Sequence, residues 1–168
     1  MTFWIVQGLG IASLVFLATS FQMKTKEKLL IFSMLALTAY TIQYFLTGAI
    51  TGAVINLVAI GRCIVFYVYS KRHLNPSIIV LAIFLFLMVV VTIFTWKSTL
   101  SIIPLLASTL NICGKWQNSM KLLRISSASA AVLWFVYDFY AGMYTAMLTD
   151  VFIIVSSTIA LWRFRQRP

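Results

Sequence analysis

Residues 76–95 read PSIIVLAIFLFLMVVVTIFT and contain no charged side chain. The hydrocarbon core of a bilayer is about 30 Å thick, and about 20 apolar residues of α-helix are enough to cross it. The polar members of the stretch are Ser77, Thr92 and Thr95, so the predicted helix is bulky and apolar on every face. Such a helix is buried in lipid or protein rather than exposed to water. The stretch predicts a transmembrane helix that carries no binding site.

The composition extends this interpretation to all 168 residues. Hydrophobic residues make up 62% of the chain and charged residues only 10%, whereas a soluble domain has about 25% charged residues. The expected fold class is therefore all-α integral membrane, with a single membrane domain over 1–168. Apolar runs predict seven transmembrane helices, at 3–21, 29–46, 50–69, 76–95, 99–113, 125–140 and 143–162.

The breaks between these runs carry recognisable helix-end signals. Thr47-Gly48 and Ala141-Gly142 predict tight turns, and Asn75-Pro76 predicts an N-cap followed by a proline in the first helical position.

Basic residues gather on one side of the predicted topology. Of the 13 Lys and Arg, 11 fall near the ends of helices 1, 3, 5 and 7, Lys97 falls on the other side, and Arg62 is inside helix 3. Short loops rich in Lys and Arg stay cytoplasmic. The N-terminus is expected outside and the C-terminus in the cytoplasm, so the net charge of +10 indicates topology rather than nucleic-acid binding. The 11 residues are Lys24, Lys26, Lys28, Lys71, Arg72, Lys115, Lys121, Arg124, Arg163, Arg165 and Arg167.

The chain contains an internal repeat, in which helices 1–3 correspond to helices 5–7. With three helices in each unit, the connecting helix 4 restores the orientation of the second copy, so the copies are parallel. The predicted units are a first triple-helix bundle at 3–72, a connector helix at 76–95 and a second triple-helix bundle at 99–166. The aligned pairs include residues 9–22 with 104–117, Tyr44 with Tyr137, then, after a one-residue difference in the turn, Gly48 with Gly142 and Asn56 with Asp150.

The stretch YFLTGAITGAVINLVAIGRCIVF at 44–66, with its counterpart from Tyr137-Asp138 through Gly142 to Thr145 and Asp150, resembles YgjV-type bacterial inner-membrane proteins. The three-one-three plan also resembles the SWEET and PQ-loop (MtN3-like) transporters. The resemblance implies a bacterial inner-membrane location and passage of a small solute by alternating access between two bundles. It implies no settled substrate for the YgjV type.

One departure concerns the Pro-Gln pairs of PQ-loop proteins. The matching positions here are Phe21-Gln22 and Trp116-Gln117, so the glutamines are present and the prolines are not. Pro104 lies elsewhere in helix 5 and could kink it. Gln22, Gln117 and Pro104 are the hinge or gate residues that the resemblance suggests.

Four residues are candidates for binding the solute. The resemblance to SWEET-like transporters implies that Asn56 and Asp150 line a pocket between the bundles. Asp150 is interpreted as the only acidic residue well inside a helix, and two roles stay open for it: loading and releasing a proton, or a structural hydrogen bond to a neighbouring helix. Trp134 is a candidate for stacking on a planar ring or sugar face, and Arg62 for pairing with Asp150 or an anionic solute.

Each of these interpretations has a structural alternative. The small residues around Asn56 also allow tight helix packing without a cavity. Arg62 also has the reach to extend its side chain to the headgroups, and Trp134 also suits simple packing. Tyr44, Tyr137, Tyr140 and Tyr144 are interpreted as an aromatic belt at the outer interface.

No motif of a hydrolase, a metalloprotease or a nucleotide-binding loop is present, so the protein is not expected to be an enzyme. No cofactor or metal is expected, and Cys63 and Cys113 are interpreted as small buried residues. The expected partners are the bilayer and an unidentified small solute, and a homodimer stays open. Two other functions stay open: a non-transporting scaffold or accessory subunit, and a vitamin-precursor channel resembling the nicotinamide riboside transporters.

Overall fold

A computed structural model describes residues 2–22, 25–72, 74, 77–116 and 120–165. These residues form seven α-helices, with a 3-10 turn at Thr99–Ser101. The helices are α1 (Thr2–Gln22), α2 (Lys26–Leu46), α3 (Ile50–Lys71), α4 (Ile78–Phe94), α5 (Ile102–Trp116), α6 (Met120–Tyr140) and α7 (Tyr144–Arg165).

Length and composition make several of these helices candidates for crossing a bilayer. Within the described ranges, Phe3–Ser20, Glu27–Leu46 and Ile50–Lys71 are long and apolar enough to span it. The prediction of an all-helical, multi-pass membrane protein is confirmed, and crossing by all seven helices stays a prediction. Shorter apolar helices cover Ile78–Phe94, Thr99–Gly114 and Tyr144–Ile159.

Most helix starts differ from the sequence prediction by one to five residues, and the starts of α6 and α4 have a clear cause. Helix α6 begins at Met120 rather than at 125, because Lys121 and Arg124 lie in its first turns instead of in a loop. Long basic side chains can occupy the end of a membrane helix and still reach the headgroups. Helix α4 begins at Ile78 after the N-cap Ser77, and the predicted cap at Asn75-Pro76 lies outside the described residues.

Helix α5 begins at Ile102, so Pro104 is its third residue. The first turn of a helix tolerates proline because the N–H groups there have no intrahelical acceptor. Pro104 therefore lies where it interrupts no intrahelical hydrogen bond, and a kink of α5 at this residue stays a prediction.

Six helices close into a ring. Sequential neighbours pack as hairpins, α1 with α2, α2 with α3, α5 with α6 and α6 with α7. Two further contacts join the halves, α1 with α7 and α3 with α5. The connector α4 lies outside the ring and contacts α3 and α5. It buries one face, made of Leu81, Phe84, Met88 and Thr92, and exposes large apolar side chains on the rest.

The hairpins α2–α3 and α6–α7 have the same lengths, 21 and 22 residues in each case. We refer to them as the matched hairpins, because every helix end in one has a counterpart 94 positions later in the other. The paired ends are Lys26 with Met120, Leu46 with Tyr140, Ile50 with Tyr144, and Lys71 with Arg165.

The matched hairpins also turn in the same way. Each turn contains a glycine with a positive φ, 73° at Gly48 and 70° at Gly142. L-residues with a side chain rarely adopt this conformation, so glycine is favoured at both positions. In each turn an N–H bonds to the carbonyl five residues earlier, which closes a Schellman motif. The two bonds run from Ala49 N to Tyr44 O and from Met143 N to Asp138 O, both at 2.9 Å.

These bonds set the register between the hairpins. Tyr44 corresponds to Asp138, and the earlier alignment of Tyr44 with Tyr137 is wrong by one residue. The sequence alignment placed a one-residue difference in the turn. The helix ends of both hairpins match at one offset throughout, so the turn contains no such difference.

Candidate functional site

Two aspartates from neighbouring helices meet inside the protein. Asp138 of α6 is 2% exposed and Asp150 of α7 is 6% exposed. Their carboxyl groups share a side-chain hydrogen bond. An ionised carboxylate can only accept, so two carboxyl groups bond to each other only when one of them carries a proton. This aspartate pair is therefore arranged to hold one proton.

Helix α2 reaches the aspartate pair with two tyrosines. The hydroxyl of Tyr44 donates to Oδ1 of Asp138 at 2.6 Å. Tyr40, one turn earlier, approaches the side chain of Thr149, which precedes Asp150 in α7. The pair is thus connected to both matched hairpins.

Aromatic rings fill the space between α2 and α6. The ring of Tyr44 lies 5.8 Å from that of Trp134 and 5.8 Å from that of Tyr137, between centroids. Trp134 and Tyr137 meet edge to face at 5.9 Å. Aromatic contacts of this kind stabilise a packed interior. Trp134 belongs to this cluster, and its stacking on a solute stays a prediction.

The middle helix of each three-helix bundle also contacts the first turns of the last helix in the other bundle: α2 contacts α7, and α6 contacts α3. Nε2 of Gln43 in α2 donates to Oγ1 of Thr145 in α7 at 3.2 Å. The backbone N–H of Gly52 in α3 donates to the hydroxyl of Tyr137 in α6 at 3.2 Å. Gln43 and Tyr137 are matched positions, so these two contacts are counterparts of each other.

Glycine permits two of these close approaches. A Cβ atom at Gly10 of α1 would overlap Oγ1 of Thr145, and one at Gly52 would lie 2.9 Å from Cε1 of Tyr137. Small residues allow membrane helices to pack backbone against side chain in this way.

Asn56 is 5% exposed and matches Asp150 in register. Each lies six residues into its helix, at a depth of about 9 Å. The described contacts of Asp150 run to α6 and, through neighbouring residues, to α2. That Asn56 faces Asp150 across a cavity stays a prediction.

Arg62 is 3% exposed, and its Nε and Nη1 have no hydrogen-bond acceptor among the described residues. The alternative in which Arg62 extends to the headgroups is wrong, because the side chain is enclosed by protein.

The suggested hinge residues are only partly described. Gln22 is the last residue of α1, but its side chain falls outside the described part, as does Gln117 altogether. Pro104 is buried in the first turn of α5. A hinge or gate at these residues stays a prediction.

Sequence reasoning missed Asp138. Asp150 is the acidic residue well inside a helix, as predicted, but it is not the only buried one, because Asp138 near the end of α6 is enclosed at least as deeply. Tyr44 and Tyr137 were assigned to an aromatic belt, but both are buried, at 3% and 7% exposure. The feature that identifies Asp138 is its position 94 residues after Tyr44, because 94 is the offset between matched positions of the two hairpins.

A cleft of about 200 Å³ opens at the end of the helices that carries the two glycine turns. We call this end the glycine-turn end. Nζ of Lys97 donates to the carbonyl of Gly48 at 3.1 Å beside the cleft. Tyr137 contributes to the lining and thus connects the cleft to the aromatic cluster. The lining residues are Thr47, Gly48, Ala49, Ile50, Thr51, Lys97, Ser98, Leu100, Ser101, Tyr137, Tyr140 and Ala141.

Within the described part of the chain, no group of three or more His, Cys, Asp or Glu is placed to hold a metal ion. The chemistry that this site offers is hydrogen bonding and exchange of a proton.

Apolar helices packed in a ring around buried polar groups define a polytopic α-helical membrane protein. The chain belongs to the YgjV family of bacterial inner membrane proteins, whose family model matches residues 4–168. It is accordingly a multi-pass protein of the bacterial inner membrane. No curated protein and no solved structure matches the chain.

Proposed function

We propose that this protein transports a small solute across the bacterial inner membrane, and that α1–α3 and α5–α7 act as two bundles moving against each other. The observation that carries the proposal is the aspartate pair, Asp138 with Asp150. Ionisable residues inside a membrane are costly, and they commonly mark ion or proton pathways. A protein that only anchors a partner has no need of such a pair.

The aspartate pair supports coupling to protons. Loss of its shared proton would leave two negative charges in contact, which is strongly unfavourable away from water. Tyr44 belongs to the other bundle and donates to Asp138. A change in the protonation of the pair therefore changes a contact between the bundles. Alternating access requires such a link between proton binding and movement.

The proposed architecture is the 3+1+3 plan of the SWEET and PQ-loop transporters, with all seven helices crossing the bilayer. The equal lengths of the matched hairpins and the position of α4 outside the ring support it. The basic residues favour an outer N-terminus and a cytoplasmic C-terminus, which places the glycine-turn end outside. The cleft beside Lys97 is then the outer entrance. The proposal includes no enzymatic activity and no nucleic-acid partner.

The test uses purified full-length protein in liposomes, screened for accumulation of small metabolites under an inward proton gradient. We expect the wild type to accumulate at least one solute, and Asp138→Asn and Asp150→Asn to lose the response to the gradient. Glu27→Gln is the matched control, because Glu27 is the remaining acidic residue and accepts a hydrogen bond from Ser70 at 2.6 Å, at the opposite end of the hairpin.

Two results would contradict the proposal. If Asp150→Asn keeps both full uptake and the original response to the proton gradient, Asp150 is structural and carries no proton. If none of the metabolites is accumulated by the wild type, the protein is not a transporter of this kind.

A non-transporting scaffold is the second candidate, and the aromatic cluster between α2 and α6 favours it because that space is filled. The resemblance to nicotinamide riboside transporters implies a solute site rich in tryptophan, for which Trp134 is the one candidate in this sequence. Trp134 is partly buried against Tyr44 and Tyr137, which leaves that candidate weaker.

A further inference from the structure

Arg62 lies deep within the membrane-spanning part of α3. It is 12 residues after Ile50 and 9 residues before Lys71, which puts it about 18 Å and 13 Å from the two helix ends at about 1.5 Å per residue. An arginine at such a depth is unfavourable in lipid and normally faces the protein interior or a water-filled cavity.

The packing of α3 shows which way Arg62 faces. Val58 packs against the cluster formed with α4 and α5, and Val65 packs against both that cluster and the one formed with Leu30 of α2. Cys63 and Phe66 pack against Leu30 of α2. At about 100° per residue, Arg62 lies on the surface between these two faces. Its side chain therefore starts toward the interior of the ring, between α2 and α5.

None of the three acidic residues of the sequence bonds to Nε or Nη1 of Arg62. The sequence contains three acidic residues. Asp138 and Asp150 bond to each other, and Glu27 bonds to Ser70 near the start of α2. The two N–H-bearing atoms Nε and Nη1 of Arg62 lie buried without an acceptor in the described part of the protein. A buried guanidinium with two unpaired donors is suited to binding an anion from outside the chain.

Buried hydroxyl groups add polarity to the interior of the protein. Ser33 of α2, Ser108 of α5 and Ser157 of α7 are each at most 6% exposed, and a hydroxyl can donate to an oxyanion. The buried hydroxyls of Ser13 and Ser20 in α1 donate instead to the carbonyls of Leu9 and Leu17.

We infer that Arg62 binds the anionic group of the transported solute, and that the solute is a small carboxylate or a similar oxyanion. This inference rests on the proposed transport function and names its substrate class. The proton on the aspartate pair and the negative charge at Arg62 then compensate each other, so the loaded protein carries no additional net charge through the membrane.

The test measures binding to the purified full-length protein through the shift of its melting temperature. The probes are lactate, succinate and inorganic phosphate as anions, glucose and glycerol as neutral solutes, and choline as a cation. We expect at least one anion to stabilise the wild type and the neutral and cationic probes to have no effect. Arg62→Gln should weaken that binding by about 10- to 100-fold, as expected for the loss of a charge-assisted hydrogen bond.

Two further variants keep the test decisive if Arg62→Gln fails to fold. Arg62→Lys keeps the charge with fewer donors and should show an intermediate loss of affinity. Arg72→Gln, at the exposed end of α3, is the matched control and should bind like the wild type. The same measurement with phosphatidylglycerol in place of the soluble anions separates a lipid headgroup from a free solute.

The inference is overturned if no anion stabilises the wild type, if the Arg62 variants bind as tightly as the wild type, or if phosphatidylglycerol alone has an effect. An anion that binds through Arg62 but is not carried into liposomes would leave the anion site at Arg62 standing and remove the proposed transport function. If a neutral solute is taken up and Arg62→Gln leaves that uptake unchanged, the proposed function stands and this inference is removed.

Discussion

The hydroxyl oxygen of Tyr44 lies 2.6 Å from Oδ1 of Asp138, and the two residues hold the same position in the matched hairpins, 94 residues apart. A position in one hairpin thus contacts its own counterpart in the other. The bond joins α2 to α6 at the centre of the helix ring, where one partner belongs to the aspartate pair. Its loss would separate the aspartate pair from the first hairpin.

Tyr44→Phe should lower the stability of the protein by about 1–3 kcal/mol, because it leaves a buried carboxylate oxygen without its donor. The melting temperature in detergent measures the effect. Tyr140→Phe is the control, since Tyr140 is 65% exposed and its change should have little effect. Equal melting temperatures for the two variants would show that the hydrogen bond contributes nothing to stability.

Gly10→Ala should destabilise the contact between α1 and α7, because the added methyl group overlaps Oγ1 of Thr145. Overpacking of this kind costs about 1–3 kcal/mol. Gly8→Ala in the same helix is the matched control, since a Cβ there meets nothing within 4 Å. Unfolding by steric trapping measures both, and Gly10→Ala combined with Thr145→Gly should recover part of the loss. A Gly10→Ala protein as stable as Gly8→Ala would contradict the close packing.

Gly48→Ala and Gly142→Ala should each cost about 1 kcal/mol, because an L-residue is strained at a positive φ. The similar φ values of 73° and 70° predict similar losses for the two variants. Gly61→Ala is the control, because its nearest neighbour to a new Cβ is 4.0 Å away and its backbone is helical. Melting temperatures that differ widely between Gly48→Ala and Gly142→Ala would argue against equivalent turns.

Reporter fusions after Arg72 and Arg167 should both be cytoplasmic, because the basic loops favour that side. A fusion inserted in the turn at 47–49 should be periplasmic. Alkaline phosphatase activity reports a periplasmic fusion, and green fluorescent protein fluorescence reports a cytoplasmic one. A periplasmic signal at either cytoplasmic site would contradict the proposed orientation and the alternation of seven spans.

Helix positions were largely predictable from sequence, because apolar runs and glycine turns are local signals. The turns at Gly48 and Gly142 are where the pattern placed them. The start of α6 was not predictable from sequence, because the basic residues Lys121 and Arg124 resemble a loop when they are considered without the rest of the helix. Their long side chains make them compatible with a helix end in the headgroup region.

The candidate site was only half predictable. Asp150 stands in the middle of an apolar run, so its burial follows from its surroundings. Asp138 stands near the end of α6 among tyrosines, where a membrane helix commonly meets water. Whether such a residue is buried depends on which helix packs over it, and in this protein α2 covers it with Tyr44. That contact joins residues 94 apart and has no local signature.

The contact between Tyr44 and Asp138 also bears on how such a protein can diverge. In a symmetric homodimer of half-length chains, a position that meets its own copy carries the same residue twice, so a tyrosine would face a tyrosine and an aspartate an aspartate. A donor and an acceptor can occupy the two places only when the two halves have coding sequences of their own. A single polypeptide that carries both halves meets this condition, and it thereby permits this hydrogen bond and the unequal division of acidic residues between the halves.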